Sequence, residues 1–512
     1  MKQILNLSEC NWRFRNVANK TWHNATVPGC VHTDLYRNRM IPDPFFALNE
    51  KKMQWIENED WEYRCEFEFE PERYSQESFN LLFKGLDTYA EVILNGQHLF
   101  DADNMFVPWE YDVSDILHQG TNELAVLLRS PFRKGLEKYT QLPYQLPANN
   151  DEHQYRVSPF TRKAPYMYGW DWGPRLLTSG IWKDVVLAVR DEAWIDDVNI
   201  NTLSLEPSQA VLSVDTAISS TEPGQYRVQV FIDNEQALDL TTSTGREESI
   251  HTFRVKIRNP KLWWPRGFGD PNLYSFRIVL LKEEKTLDEY LVDTGIRTVD
   301  LVRESGKVGS SFKMRVNGKD IFIRGANIIP VDYFVSSVKN SDYDELTDNA
   351  VAVNMNMLRA WGGGVYEDDY FYRLCDRKGL LVWQDFMFAC GMYPSDDAYL
   401  ASLDMEIRHQ VRRLRNHPSV VLWCGNNEVL EGYHTWGWKD DLGAHAGEAY
   451  SSYNKVFNEF IPGILHELDP SRPYWPTSPY SGDTNIISLE SGDFHYWDIV
   501  KQILPITVYK DN

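Results

Sequence analysis

Along residues 62–70 the run EYRCEFEFE alternates without a break, setting Tyr63, Cys65, Phe67 and Phe69 on one face and charged side chains on the other. Period two is the repeat of a half-buried β-strand. FNLLFKGL follows, and then AEVILNGQHLF, whose Asn95-Gly96 pair predicts a tight hairpin turn. NELAVLLRS from Asn122 continues the series with no competing helical period, so residues 1–190 are expected to form an antiparallel β-sandwich. Residues 131–180 break this rhythm: they are rich in Pro, Tyr and Trp without a strand period, and predict long loops of the kind that carry function. Short strands resume after Trp194, with Tyr226, Val228, Val230 and Ile232 alternating in QYRVQVFID and further runs in HTFRVKI and LYSFRIVLL. That spacing predicts a second, immunoglobulin-like sandwich over 191–302.

From Asp320 the pattern changes to apolar runs alternating with amphipathic stretches. DIFIRGAN, NMNMLRAW, LLVWQDF, VVLWCGNNE, YWPTSPY and a run ending in DFHYW read as six strands. Between them lie EDDYFYRLCDRK, stopped by Gly379, and a helix with Ile407, Val411 and Leu414 on one face, ending at Asn416 before Pro418. Repeated βα units predict a parallel sheet of the (β/α)8 barrel type over 303–512, with six of the eight strands.

Charge narrows the functions. The 52 basic and 74 acidic residues leave a net charge of −22, which argues against nucleic acid or an anionic membrane as partner. No run reaches the ~18 apolar residues of a spanning helix, and no signal-type apolar segment opens the chain, so a soluble cytoplasmic protein is the expectation. Six scattered cysteines contain no Cys-x-x-Cys pair and no zinc spacing, so neither a disulfide frame nor a metal is expected. The 69 aromatic residues (18 Trp, 27 Tyr, 24 Phe) are compatible with sugar stacking as well as with ordinary cores.

In barrels of this kind the polar residues that end the strands form the site. They are Asn327; Arg359 and Trp361; Asp385, as pocket wall or loop cap; Asn426, Asn427 and Glu428; Ser481 and Asp483; and His495, Tyr496 and Trp497. There is no Gly-x-Ser-x-Gly elbow and no phosphate loop, and Gly362–Gly364 reads as a tight turn that lets Trp361 face the pocket. Carboxylates, amides and aromatic rings without a metal cluster suit glycoside hydrolysis, with Glu428 as the acid candidate, or as a surface residue capping the next helix.

VVLWCGNNE resembles the acid/base motif of glycoside hydrolase family 2, and so do WHNATVPGCVHTDL, NPKLWWPRGFGDPNLY with DTGIR, and FIRGAN. YMYGWDWGP (166–174) and LRAWGGGVYEDDYFYRLCDRKGLLVWQDFMFA are similar to the β-mannosidase branch of that family, and the resemblance runs over residues 12–498. It implies a multidomain fold with a jelly-roll-like, sugar-binding type of first sandwich, then an immunoglobulin-like sandwich, then an incomplete (β/α)8 TIM barrel. It further implies Glu428 as general acid/base, Asn427 on the sugar 2-hydroxyl, Trp170 and Asp171 reaching from the first sandwich into the barrel mouth, and Trp361 and Trp436 as platforms. His495 and Tyr496 would complete the pocket, and Arg359 would lie under the nucleophile. No cofactor is implied; the partner is an oligosaccharide losing terminal nonreducing β-D-mannose with retention.

The nucleophile of that family is a Glu in a Ser-Glu-Phe-Gly type motif, and the sequence lacks one. Glu431, Glu490 and Asp498 are not expected to replace it. The resemblance therefore implies a C-terminally truncated relative that lacks the nucleophile and the last two strands, with Arg359 partly solvated or paired wrongly rather than in a tight ion pair. A mannose-binding protein without turnover and a galactosidase or glucuronidase of the same family are the alternatives at this point.

Overall fold

A computed structural model describes residues 2–74, 78–307, 309–482 and 488–497. Asp483 and Asp498, named above, lie outside the described residues.

The alternating run becomes the strand Trp61–Phe69, and Tyr63, Cys65, Phe67 and Phe69 are all buried, as period two requires. It pairs antiparallel with Gly120–Arg129 in a six-stranded sheet that packs against a four-stranded one. Asn95 and Gly96 both take positive φ (51° and 79°) and close the hairpin between Leu94 and Gln97. The second sandwich faces a three-stranded sheet containing Gln209–Ser220 with a four-stranded sheet containing Gly224–Ile232. Leu212, Val214, Tyr226, Val228, Phe276 and Ile278 fill the space between them.

The barrel contributes five parallel strands in chain order: β1 (Gly325–Ile328), β2 (Met357–Ala360), β3 (Leu381–Asp385), β4 (Val420–Cys424) and β5 (Tyr474–Trp475). Helices α1 (Asn340–Ala352), α2 (Asp369–Lys378) and α3 (Asp397–Leu414) connect the first four. The Asp368 side chain caps α2 at Tyr370 N, and Gly379 ends it at φ 68°, while α3 buries Ile407, Val411 and Leu414.

Two expected strands differ. DIFIRGAN is not one barrel strand: the Asn317-Gly318 turn folds Lys319–Ile321 back as a hairpin in a separate antiparallel sheet, so only Gly325–Ile328 joins β2. The sixth expected strand is absent among the described residues. In DFHYW, Asp493 makes a single antiparallel bridge to Tyr480, and its carboxylate, rather than a backbone ladder, ties the segment down.

The aromatic loops of residues 131–180 are anchored on the barrel by a buried charge cluster. Arg162 reaches Glu406 on α3 with Nη2–Oε1 2.6 Å and Nε–Oε2 2.8 Å, and Tyr366 Oη donates to the same carboxylate at 2.8 Å. Backbone bonds from Tyr166 N to Gly363 O and from Asn149 N to Cys390 O, each 2.9 Å, hold the loops over the strand ends.

Candidate active site

The C-terminal ends of the five strands converge beneath those loops. A cavity of about 730 Å³ opens there, lined by Trp170, Asp171, Trp361, Asn427, Glu428, Trp436 and His495 among others. Seven of the nine site residues implied by the family resemblance thus share one cavity, and the strand-end candidates Asn327 and Trp497 line it too. Arg359 and Tyr496 instead line an adjoining space of about 500 Å³, which His495 also borders. A larger cavity of about 920 Å³ lies elsewhere, where both sandwiches meet the barrel, and contains none of them.

Glu428 follows β4 in the left-handed region at φ 60° and begins helix α4 (Val429–Thr435), yet its side chain makes no capping bond. Such a backbone is costly for a residue with a Cβ and is characteristic of functional positions. It is held by Glu428 N donating to Ser478 O (2.8 Å) and by Ser478 N donating to Asn426 O (3.0 Å). Asn426 is spent on structure, its amide bonding Pro476 O and Thr477 Oγ1. The carboxylate of Glu428, 8 % exposed, faces the cavity. Oε1 lies 2.6 Å from His495 Nδ1 and accepts from Trp497 Nε1 at 3.4 Å, while Oε2 accepts from Cys390 Sγ at 3.3 Å. Burial raises the carboxyl pKa, but the hydrogen bond and charge of His495, with smaller help from Cys390 and Trp497, bring it down to about 2. Burial and then the Glu428 charge push the Cys390 thiol well above its ordinary value. Glu431 offers an oxygen within 4.8 Å of the Glu428 and His495 atoms. With Oε1 and Nδ1 only 2.6 Å apart, that pair is a direct hydrogen bond.

Arg359 is buried in a tight ion pair, neither partly solvated nor wrongly paired, which corrects the expectation. It is 8 % exposed and grips Asp385 with Nη2–Oδ2 2.7 Å and Nε–Oδ1 3.2 Å. In the parallel register Arg359 stands opposite Trp383, so Asp385, two residues on, faces the same side of the sheet. Asp385 is fully buried, and also accepts from Gly362 N (2.9 Å) and Trp383 Nε1 (2.8 Å), so its oxygens are committed to holding structure. Arg359 Nη2 in turn donates to Asn427 Oδ1 at 3.1 Å, which aims the Asn427 amide nitrogen towards Cys390 Sγ and the cavity.

The walls are aromatic. Trp361 meets Trp170 edge to face at 4.6 Å, and Trp172 lies 6.2 Å away and is 37 % exposed at the mouth. A Cβ on Gly363 would come within 1.9 Å of the Trp361 ring, so the triple glycine serves close packing. Trp436 rests edge-on against Trp438 at 5.3 Å, and Trp438 is fixed by Asn149 Oδ1 at 3.0 Å. Sequence reasoning missed Cys390, Glu152 and Trp172, which line the cavity, and Ser478 and Asp493, which lie behind His495. Ser478 stands three residues beyond β5, as Asn427 stands three beyond β4, and that offset was the available signal.

A buried carboxylate at the mouth of a barrel, ringed by tryptophans and amides beneath loops from a β-sandwich, defines a sandwich–sandwich–barrel protein with an aromatic-walled cavity that presents carboxylates and amides. Family models agree segment by segment: a glycosyl hydrolase 2 galactose-binding domain-like model over 12–183, the glycosyl hydrolases family 2 model over 193–297, and the family 2 TIM barrel domain over 310–475. The chain belongs to glycosyl hydrolases family 2. It is 34% identical over 504 residues to beta-mannosidase B of Emericella nidulans, covering 96% of this chain and 59% of that protein. It is also 34% identical over 522 residues to the beta-mannosidase of Bos taurus, covering 96% and 58%. The crystal structure of the beta-D-mannosidase from Dictyoglomus thermophilum superposes with a TM-score of 0.91 at 40% identity, over 99% of this chain and 61% of that one. The chain thus spans about three fifths of the length of these relatives. Among the described residues no helix is long and apolar enough to cross a membrane.

Proposed function

We propose that the chain is a β-mannosidase-type glycoside hydrolase that takes terminal nonreducing β-D-mannose of manno-oligosaccharides into the cavity at Glu428, by a retaining mechanism. The observation that carries this reading is the convergence of Glu428, Asn427, Trp170, Asp171 and Trp361 on one cavity, in a chain that matches about three fifths of relatives named β-mannosidases and shares their fold over that part. Its three parts, with boundaries near 190 and 302, act as one unit, because the loop bearing Trp170 and Asp171 comes from the first sandwich and the acid from the barrel.

In the retaining reaction Glu428 would protonate the glycosidic oxygen as a second carboxylate takes the sugar carbon, and would then act as base to the water that releases the sugar from that carboxylate. Asn427, aimed by Arg359, binds the 2-hydroxyl, whose axial orientation separates mannose from glucose. Asp171, exposed at the mouth, accepts from further hydroxyls, and Trp361 with Trp170 packs against the apolar face of the ring. Retention also requires a second carboxylate at about 5–5.5 Å from the acid; the motif that supplies it in the family is not in this sequence.

Aryl β-mannoside, β-galactoside and β-glucuronide offered to the purified chain test the reading. Turnover of the mannoside that is lost in Glu428→Gln supports it. Turnover that survives Glu428→Gln overturns the acid assignment, a preference for galactoside overturns the sugar, and saturable mannoside binding without turnover restricts the site to recognition.

A further inference from the structure

Beyond Glu428 a line of hydrogen bonds continues away from the cavity. His495 Nε2 lies 2.9 Å from Ser478 Oγ, and Ser478 Oγ donates to Asp493 Oδ2 at 2.6 Å. Asp493 Oδ1 accepts from Trp475 Nε1 at 2.6 Å and from Tyr480 N at 3.0 Å. Three donors converge on this carboxylate, and an ionised carboxylate can only accept. The single hydroxyl proton of Ser478 is therefore committed to Asp493, so Ser478 Oγ must accept from His495, and Nε2 carries a hydrogen. The proton count at the other ring nitrogen is what remains free. Either Nδ1 is protonated and faces the Glu428 carboxylate, or Nδ1 is bare and accepts from a protonated Glu428.

We propose that Asp493 and Ser478 are positioning residues which fix the tautomer of His495, so that Glu428 and His495 Nδ1 hold one transferable proton between them. The inference rests on the acid role given to Glu428 above and deepens it: the proton delivered to the glycosidic oxygen is the one shared with His495. The 2.6 Å contact between Oε1 and Nδ1 is short enough for one proton to reside on either atom. Among the described residues the charged and titratable groups facing His495 are Glu428 in direct contact, Glu431 within 4.8 Å, Asp493 through Ser478, Cys390 across Glu428, and Arg359 in the adjoining space. Of these Arg359 alone opposes a charged imidazole, and Asp385 neutralises it.

The backbone makes the arrangement rigid. Ser478 is bonded through both its N and its O to the 426–428 segment, so the hydroxyl of Ser478 and the carboxylate of Glu428 are set by the same pair of strand ends. A movement of one carries the other, and the imidazole bridges them.

The test is ¹⁵N-histidine NMR of the full chain from about pH 5 to about pH 8, with the His495 signals identified by their loss in His495→Asn. The expected result is Nε2 protonated throughout, while Nδ1 exchanges between protonated and bare as the pair titrates. A neutral His495 with the hydrogen on Nδ1 and a bare Nε2 overturns the proposal. Asp493→Asn frees the hydroxyl proton of Ser478 and is expected to move the neutral ring towards the Nδ1–H form; an unchanged tautomer overturns the link. Ser478→Ala reads the same link if Asp493→Asn does not fold. Where the chain hydrolyses an aryl β-mannoside, Asp493→Asn is expected to shift the basic limb of kcat/KM to lower pH by about one unit, because the protonated pair loses a neighbouring negative charge. An unshifted limb counts against the proposal. The expected tautomer in a chain that neither binds nor cleaves mannosides leaves the proton pair standing and removes the functional reading; mannoside cleavage with the opposite tautomer does the reverse.

Discussion

Asp385→Asn keeps the shape of the side chain that holds Arg359 and removes its charge. In the wild type the guanidinium sits with 10% side-chain exposure against a carboxylate with none. Two of its bonds, from Nη2 and Nε, end on Asp385. An Asn in that place offers one oxygen to a buried cation and turns an amide nitrogen towards donors that need acceptors, Gly362 N and Trp383 Nε1. Breaking a buried ion pair by removing one partner costs about 3–5 kcal/mol. That is a large share of the 5–15 kcal/mol typical of a whole domain. Urea unfolding followed by tryptophan fluorescence reads the cost, since Trp383 and Trp423 lie in adjacent barrel strands. A second readout is mannoside affinity, which should fall because Arg359 no longer aims Asn427. The double replacement Arg359→Met, Asp385→Leu removes both desolvated charges together and should recover the ion-pair part of the loss, but not the cost of leaving Gly362 N and Trp383 Nε1 without an acceptor, and not the affinity. A loss of less than about 1 kcal/mol in Asp385→Asn refutes the reasoning, because that is the range of an exposed pair.

Arg162→Met should leave the fully buried Glu406 without its cation and lower stability by about 3–5 kcal/mol, while loosening the loop that carries Trp170 and Asp171; limited proteolysis within residues 131–180 is the check, and an unchanged cleavage rate contradicts it. Glu367 is buried, and burial raises its carboxyl pKa to about 7 against an ordinary 4.5, with Tyr343 donating to it at 2.7 Å. A carboxyl whose pKa is raised on folding contributes stability below its unfolded value and loses it as pH rises through the folded one. Glu367→Gln should therefore be stabilised relative to the wild type by about 2–3 kcal/mol above pH 8 and by little at pH 4; a pH-independent difference in unfolding midpoint would contradict this.

Legibility in the sequence followed the range of the interaction. Tyr63 to Phe69 and Ile407 to Leu414 were readable because their burial repeats with the period of their own element. Glu428 was readable because strand ends in a βα series point to one face, and its neighbour Asn427 came with it. The Arg359–Asp385 pair was missed although it follows from register: adjacent parallel strands put Asp385 on the side Arg359 faces. Arg162 and Glu406 are 244 residues apart, and no local period announces such a contact. DFHYW looked like a strand because of its aromatic residues, yet Asp493 finds its partners in side chains and loop amides, which a hydrophobic pattern does not register. The hydrogen-bonded line from Glu428 to Asp493 was invisible for the same reason: Ser478 meets Glu428 only once β4 and β5 lie side by side, and His495 meets Ser478 only through the Tyr480–Asp493 bridge.

Calorimetric titration of β-mannoside and β-galactoside into the full chain, repeated with Asp171→Ala, tests the central claim most directly, since it asks for recognition at this cavity independently of turnover. The account predicts saturable binding that favours the mannoside and is weakened at least about tenfold, or about 1.4 kcal/mol, by Asp171→Ala. Equal or tighter binding of the galactoside, or mannoside binding that Asp171→Ala leaves unchanged, would contradict it.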